Sequence, residues 1–307
     1  MGIFCRIRRR AIKLHLVLKN QKVCSFICLT PTNILNYYFC LMKKFWLLLI
    51  VSCLLFISSC NNSDTTSGNE PNSETTTPNI TYSIAATYPH DTSSFTEGLE
   101  FYQGKLLEST GNTGKSKLLE IDLKTGKPAK AISLDNKLFG EGITVLNDTV
   151  YQLTWREHIV NVYTVNDFKK VKEFPLNMEG WGLTNDGKNL IASDGSANLY
   201  FYDPSTFRLL RTQGVTENGG PAVNINELEY VNGFIYANQW QYNYIIKIDP
   251  NSGQVVGKLD LSELVSRVKV QAPYALELNG IAYNPETKKF YITGKYWPQI
   301  FELQFQL

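Results

Sequence analysis

From Ile80 onward the chain is built of short apolar runs that alternate with turn residues, and five of these runs follow one template. The copies are Phe95-Thr96-Glu97-Gly98-Leu99, Phe139-Gly140-Glu141-Gly142-Ile143-Thr144, Gly180-Trp181-Gly182-Leu183-Thr184, Ile225-Asn226-Glu227-Leu228-Glu229-Tyr230 and Leu278-Asn279-Gly280-Ile281-Ala282-Tyr283. Aligning Gly98, Gly142, Gly182, Glu227 and Gly280 gives spacings of 44, 40, 45 and 53 residues. Each copy starts a strand that ends in a turn such as Gln103-Gly104, Asn147-Asp148 or Asn232-Gly233, residues that tolerate tight hairpins. A second strand then reaches a small polar residue: Thr110, Thr154, Ser193, Asn238 or Thr293. A third, richly apolar strand follows, as in Leu199-Tyr200-Phe201-Tyr202, and an outer strand completes most units, as in Val255-Val256-Gly257-Lys258-Leu259. Four antiparallel strands in a repeat of this length make a propeller blade. The chain is therefore predicted to be all-β, a five-bladed β-propeller with four-stranded antiparallel blades over residues 80–307. The run before the first copy is expected to pair with the last blade and close the ring, which removes a long exposed edge. One segment, Leu261 to Val268, has helical spacing and predicts a short helix over a loop.

The first sixty residues have a different character. They hold all six cysteines, nine of the 30 Lys and Arg, and none of the 28 Asp and Glu. Met42-Lys43-Lys44 followed by the apolar run Phe45 to Ile57 reads as a secretory signal over 42–60. Its end, Ile57-Ser58-Ser59-Cys60, resembles a bacterial lipobox, so Cys60 is the expected lipidation site, with an uncleaved anchor as the alternative. Residues 1–41 carry no readable function and fit an upstream start or an extension. Residues 61–79, mostly Ser, Thr, Asn and Pro, predict a disordered tether. This places the protein in the cell envelope, outside the cytoplasm, held to a membrane by lipid. Without its leader the chain carries a net charge of −7, against +2 for the whole. A nucleic-acid role loses its support. With no cysteine beyond Cys60, thiol catalysis and Cys-based zinc sites are excluded from the propeller.

Aligned positions of different blades converge on a propeller's axis. Just before the aligned position stand Glu97, Glu141, Trp181, Asn226 and Asn279, a polar ring where apolar residues could have filled the channel. Either it forms a site, or its carboxylates only cap backbone donors in a wet channel. Trp155, Trp181, Trp240 and Trp297 fall at the ring or just after second strands, so they predict an aromatic-walled pocket at one mouth; the alternative is that they cap the blades as core. Lys295 could reach that mouth, although by itself it reads as a solvated lysine. His90 and His158 have no carboxylate cluster at ligand spacing, so a histidine-based metal site is not expected.

These motifs, with Glu108-Ser109-Thr110-Gly111, Gln152-Leu153-Thr154-Trp155, Ala237-Asn238 and Thr293-Gly294-Lys295-Tyr296-Trp297-Pro298, resemble in set and order the plant and bacterial glutaminyl-peptide cyclotransferases. The resemblance covers about residues 83–305. It implies a five-bladed propeller that turns an amino-terminal glutamine into pyroglutamate with release of ammonia, without a cofactor or metal, acting as a monomer on peptides. It also implies Glu141 as the proton-transfer residue, with Asn226 and Lys295 at polar catalytic positions. Phe95, Phe139, Trp155, Trp181 and Trp240 would surround the substrate, as would Glu97, which stands where plant members have glutamine. The competing readings are a surface-anchored propeller that binds without catalysis and a metal-dependent lactonase-like propeller; five units rather than six disfavour the latter.

Overall fold

The computed structural model describes residues 76–306. The signal segment, Cys60 and nearly all of the tether lie outside the described residues. Five four-stranded antiparallel sheets follow one another along the chain. Blade one comprises Thr96–Tyr102, Lys105–Thr110, Lys117–Asp122 and Lys127–Ser133. Blades two, three and four start with the inner strands Gly140–Leu146, Leu183–Asn185 and Ile225–Val231. Blade five takes Leu278–Asn284, Lys289–Gly294 and Gln299–Gln304 from the carboxyl end and its outer strand, Ser83–Pro89, from the amino end. The ring thus closes as the sequence predicts, with Ser83 opposite Gln304 and Pro89 opposite Gln299.

The described contacts reach back before residue 80. Ordered contacts begin earlier: Thr77 bonds the Asn218 side chain, and Lys258 N–H donates to the Pro78 carbonyl at 2.9 Å. Ile80 then donates to Lys258 O at 2.7 Å, so the entering chain lies along the outer strand of blade four before joining blade five. The expected helix forms over Ser262–Gln271 and buries Leu264, Val265 and Val268.

Strand alternation makes the core. Leu106 and Leu119 face the seam with blade five, where they meet Ala282, Tyr291 and Ile300. Their neighbours Leu107 and Leu118 face the other way, against Ile143, Val145 and Tyr163 of blade two. Each seam between blades holds one such apolar cluster, because adjacent strand residues point to opposite faces. Every blade is buried on both faces, which explains the near-continuous apolar runs of the middle strands.

The inner strands are irregular at one place. The ladder of blade one slips between Thr96 and Gly98, that of blade two between Gly140 and Ile143, that of blade four between Ile225 and Leu228, and that of blade five between Leu278 and Ile281. Each slip contains the ring residue: Glu97, Glu141, Asn226 or Asn279. A bulge re-aims a side chain out of the strand's ordinary alternation. The aligned glycines let the inner strands crowd together at this level. A Cβ on Gly182 would stand 1.9 Å from the Asn226 carbonyl oxygen.

Candidate active site

Three buried carboxylates inside the channel are spent on backbone. Glu227, which replaces glycine at the aligned position of blade four, accepts from Leu99 N at 3.2 Å and from Ile281 N at 2.9 Å. Glu100 accepts from Val145 N at 3.0 Å, and Glu229 from Tyr283 N at 2.9 Å. These side chains satisfy free amides on the inner edges of other blades, as buried N–H groups require. For them the capping alternative holds.

Glu97 and Glu141 are different. They lie at one mouth of the channel in a pocket of about 370 Å³, whose wall includes Phe95, Phe139, Trp155, Trp181 and Trp240. Asn226, Leu276, Glu277 and Lys295 complete the lining. A larger trough of about 910 Å³ runs along Asn79–Ser83 and Val256 on the outside of the ring, but no carboxylate lines it. The wall is aromatic: Phe95 meets Phe139 edge to face with ring centres 6.0 Å apart, Trp181 meets Trp240 likewise at 5.8 Å, and Phe139 and Trp155 are tilted at 5.5 Å. On the solvent side of Trp155, the Arg156 guanidinium stacks 3.8 Å from the ring centre. Glu179 holds both, accepting from Trp155 Nε1 at 3.0 Å and pairing with Arg156 at 2.9 Å. Against the push of burial, Arg156 and then Trp155 keep the Glu179 carboxyl below its ordinary range.

The reading of Lys295 as a solvated lysine is corrected. Lys295 is buried, its Nζ lies 2.8 Å from Glu97 Oε1, and it sits 4.4 Å over the Phe95 ring. Asn279 donates to the other Glu97 oxygen at 3.1 Å. Burial pushes Glu97 up to about 7 despite the opposing pull of Lys295. Glu141 makes no hydrogen bond or ion pair among the described residues, and it is 5% exposed. Burial first, and the Glu97 charge second, raise it well above the usual carboxylate range. Asn226 Oδ1 is buried without a partner, and Trp181 Nε1 makes no hydrogen bond of normal geometry. The pocket therefore offers an unanswered carboxyl, an unanswered carboxamide and a held ammonium around one small space.

One expectation shifts. Trp297 is core: it is fully buried, packs over Gly294 and Phe301, and donates to the Leu276 carbonyl at 3.1 Å. His90 does have a carboxylate. Its Nδ1 lies 2.8 Å from the Trp297 carbonyl and its Nε2 3.0 Å from Glu108, which also accepts from Thr96 at 2.7 Å. Burial opposes the charge, but Glu108 and the carbonyl outweigh it and raise His90 above its ordinary value. This buried latch ties the closing strand to blades one and five. Nothing local in the sequence announces it, since its partners come from both ends of the domain. Among the described residues no three His, Cys, Asp or Glu side chains are grouped so as to hold a metal ion.

Fold and site together define a class: five-bladed propellers with a buried carboxyl pocket, walled by aromatics, at one channel mouth. The family model for glutamine cyclotransferase matches residues 52–305, and the chain belongs to that family. It is 38% identical over 227 residues to a glutaminyl-peptide cyclotransferase of Arabidopsis thaliana, spanning 73% of this chain and 71% of the relative. Its structure matches the crystal structure of Myxococcus xanthus glutaminyl cyclase with a TM-score of 0.71 and 37% identity, covering 75% of this chain and 98% of that one.

Proposed function

We propose that the protein cyclises amino-terminal glutamine of peptides to pyroglutamate, and that Glu141 carries the proton. The observation behind this role is the contrast in the channel. Glu100, Glu227 and Glu229 answer backbone amides, whereas Glu141, a largely buried residue, lines the pocket and its side chain answers nothing among the described residues. An uncompensated buried carboxyl costs stability, and such groups concentrate at functional sites. Family membership and the matches above support the reaction itself.

The chemistry follows from the geometry. Glutamine folds in the aromatic pocket so that its α-amine faces its own γ-carboxamide carbon, which supplies proximity and orientation. Holding its proton through burial, Glu141 meets a neutral amine. The amine attacks, a C–N bond forms, and charge develops on the amide oxygen. Lys295 and Asn226 are the donors suited to that oxygen. Glu141 gives its proton to the leaving nitrogen, takes one from the attacking nitrogen, and the second C–N bond breaks to free ammonia. Such a shuttle contributes roughly 10²- to 10⁴-fold. Glu97 keeps Lys295 in place.

The deciding experiment incubates purified protein with a Gln-initiated peptide, with and without chelator. Ammonia release that survives chelation supports this reading, no release supports a binder, and release abolished by chelation points to a metal site. The envelope location is part of the proposal, resting on the signal-like segment and the Ile57-Ser58-Ser59-Cys60 stretch. Cys60→Ala is expected to release the protein from membranes or leave a precursor; unchanged retention and processing would sink the lipid anchor.

A further inference from the structure

Nearly every acidic side chain near the pocket has an internal task. Glu97 holds Lys295, Glu157 accepts from Phe139 N at 3.2 Å, and Glu179 clamps Trp155 and Arg156. Glu141 is taken by the reaction. That leaves Glu277, which lines the pocket, is part-exposed, and makes no side-chain hydrogen bond or ion pair among the described residues. Its backbone is fixed, because Lys295 N–H donates to the Glu277 carbonyl at 3.0 Å and Leu276 N–H donates to the Lys295 carbonyl at 2.8 Å. Beside it Leu276 and Trp240 are each 37% exposed, an apolar surface left uncovered at the same mouth.

Another part of the rim, at Trp155, shows what such a combination accepts. There Trp155 and Glu179 hold an arginine, its guanidinium carbon 3.8 Å from the indole ring centre and its Nε paired to the carboxylate. Trp240 and Glu277 present the same two components without the cation. A peptide bound by its terminal glutamine must leave the pocket through this mouth, so its second residue is the first to pass between them. A lysine or arginine fits both parts: its aliphatic stem lies on apolar surface and its charge meets the carboxylate and the indole face. Glu157 adds negative potential around the mouth, which favours encounter with a cation.

We propose that Glu277, with Trp240 and Leu276, reads a lysine or arginine directly after the amino-terminal glutamine. This inference rests on the cyclotransferase reading and narrows it to a substrate class, glutamine followed by a basic residue. Three peptides test it, Gln-Lys-Ala, Gln-norleucine-Ala and Gln-Glu-Ala, the second keeping the stem of lysine without its charge. The expected kcat/KM of the lysine peptide exceeds that of the norleucine peptide by roughly threefold to tenfold, the scale of a part-exposed charge pair. The advantage sits mainly in KM, shrinks as salt is raised, and falls toward parity in Glu277→Gln. Glu277→Lys is expected to shift preference toward the Gln-Glu peptide. Thermal melts of both variants confirm that they fold. Equal use of the lysine and norleucine peptides by the unaltered protein, or a preference that persists in Glu277→Gln, overturns the inference while leaving the cyclotransferase reading intact. If no Gln peptide releases ammonia, the cyclotransferase reading falls. Tryptophan-fluorescence titration with the same peptides then decides the preference: tighter binding of the lysine peptide, lost in Glu277→Gln, upholds it, and equal binding overturns it.

Discussion

Glu141 and Glu227 are both glutamates buried in one channel, and only their partners distinguish them. Two backbone amides hold Glu227, so its carboxylate is structural. Glu141→Gln keeps size and shape but removes the proton, so kcat is expected to fall by roughly 10²-fold or more while KM changes little. Steady-state kinetics on one Gln peptide check this; near-full turnover would remove Glu141 from the mechanism. Glu97 acts on Glu141 through its charge. In the proposed mechanism the productive complex carries one proton between Glu141 and the substrate amine, and the acidic limb marks arrival of a second. Removing the Glu97 charge lowers Glu141, because a nearby like charge had raised it. Glu97→Gln is therefore expected to retain activity and move the acidic limb of the pH–rate profile to lower pH. A shift in the other direction would mean that Glu97 does not set the proton affinity of Glu141.

At the scale of strands and turns, the repeat was legible because each inner strand, turn and apolar middle strand recurs in one order, every 40 to 53 residues. The polar ring was legible for the same reason, since alignment alone brings Glu97, Glu141, Trp181, Asn226 and Asn279 together. What contact decides was not legible. Trp240 and Trp297 both follow a second strand, yet Gly294 lets the Trp297 ring fold back into the core while Trp240 stays at the pocket. Lys295 reads as a surface residue until blade one supplies Glu97. The His90–Glu108 latch depends on a strand arriving from the amino end. The Trp297 carbonyl and Glu108 accept hydrogen bonds from the two His90 ring nitrogens, which favours the imidazolium; its raised value means that the stabilisation is full below pH ~6.5 and fades as pH climbs through the folded-state value. His90→Ala is expected to cost about 3 kcal/mol at pH 6, as when one member of a buried pair is removed. The deficit narrows in alkaline buffer, and urea melts at pH 6 and 9 measure it. A deficit that is the same at both pH values would mean the latch carries no charge. Deleting the chain up to Phe95 removes strand and latch together, so loss of cooperative unfolding or aggregation is expected; a truncated protein that melts like the full domain would refute this closure.

For the molecule as a whole, the channel sets the pH at which the fold is strongest. Burial raises Glu100 to about 7 against the pull of the Val145 amide, and pushes Glu227 and Glu229 well above their usual range. Below pH ~4.3 such a carboxyl is protonated in both states; between there and 7 the unfolded chain ionises first, so stability falls as pH rises. Surface turn carboxylates act in the other direction. Hydrogen bonds from Ser205 and Thr206 lower Asp203 to about 2, so its contribution is lost only in strong acid. Maximum stability is expected near pH 5, and Glu100→Gln is expected to flatten the decline between pH 5 and 7 by about 3 °C per pH unit in Tm. An unchanged slope would show that Glu100 titrates normally in the folded state. Ring closure has a further consequence, in the order of synthesis. The strand that emerges first, Ser83–Pro89, finds its partner in Gln299–Gln304, which emerges last. Phe95 and Lys295, which meet across the pocket, are made at opposite ends of translation of this domain. A ribosome-bound chain therefore holds no assembled active site until its final blade is out, and a chain degraded before completion never has one.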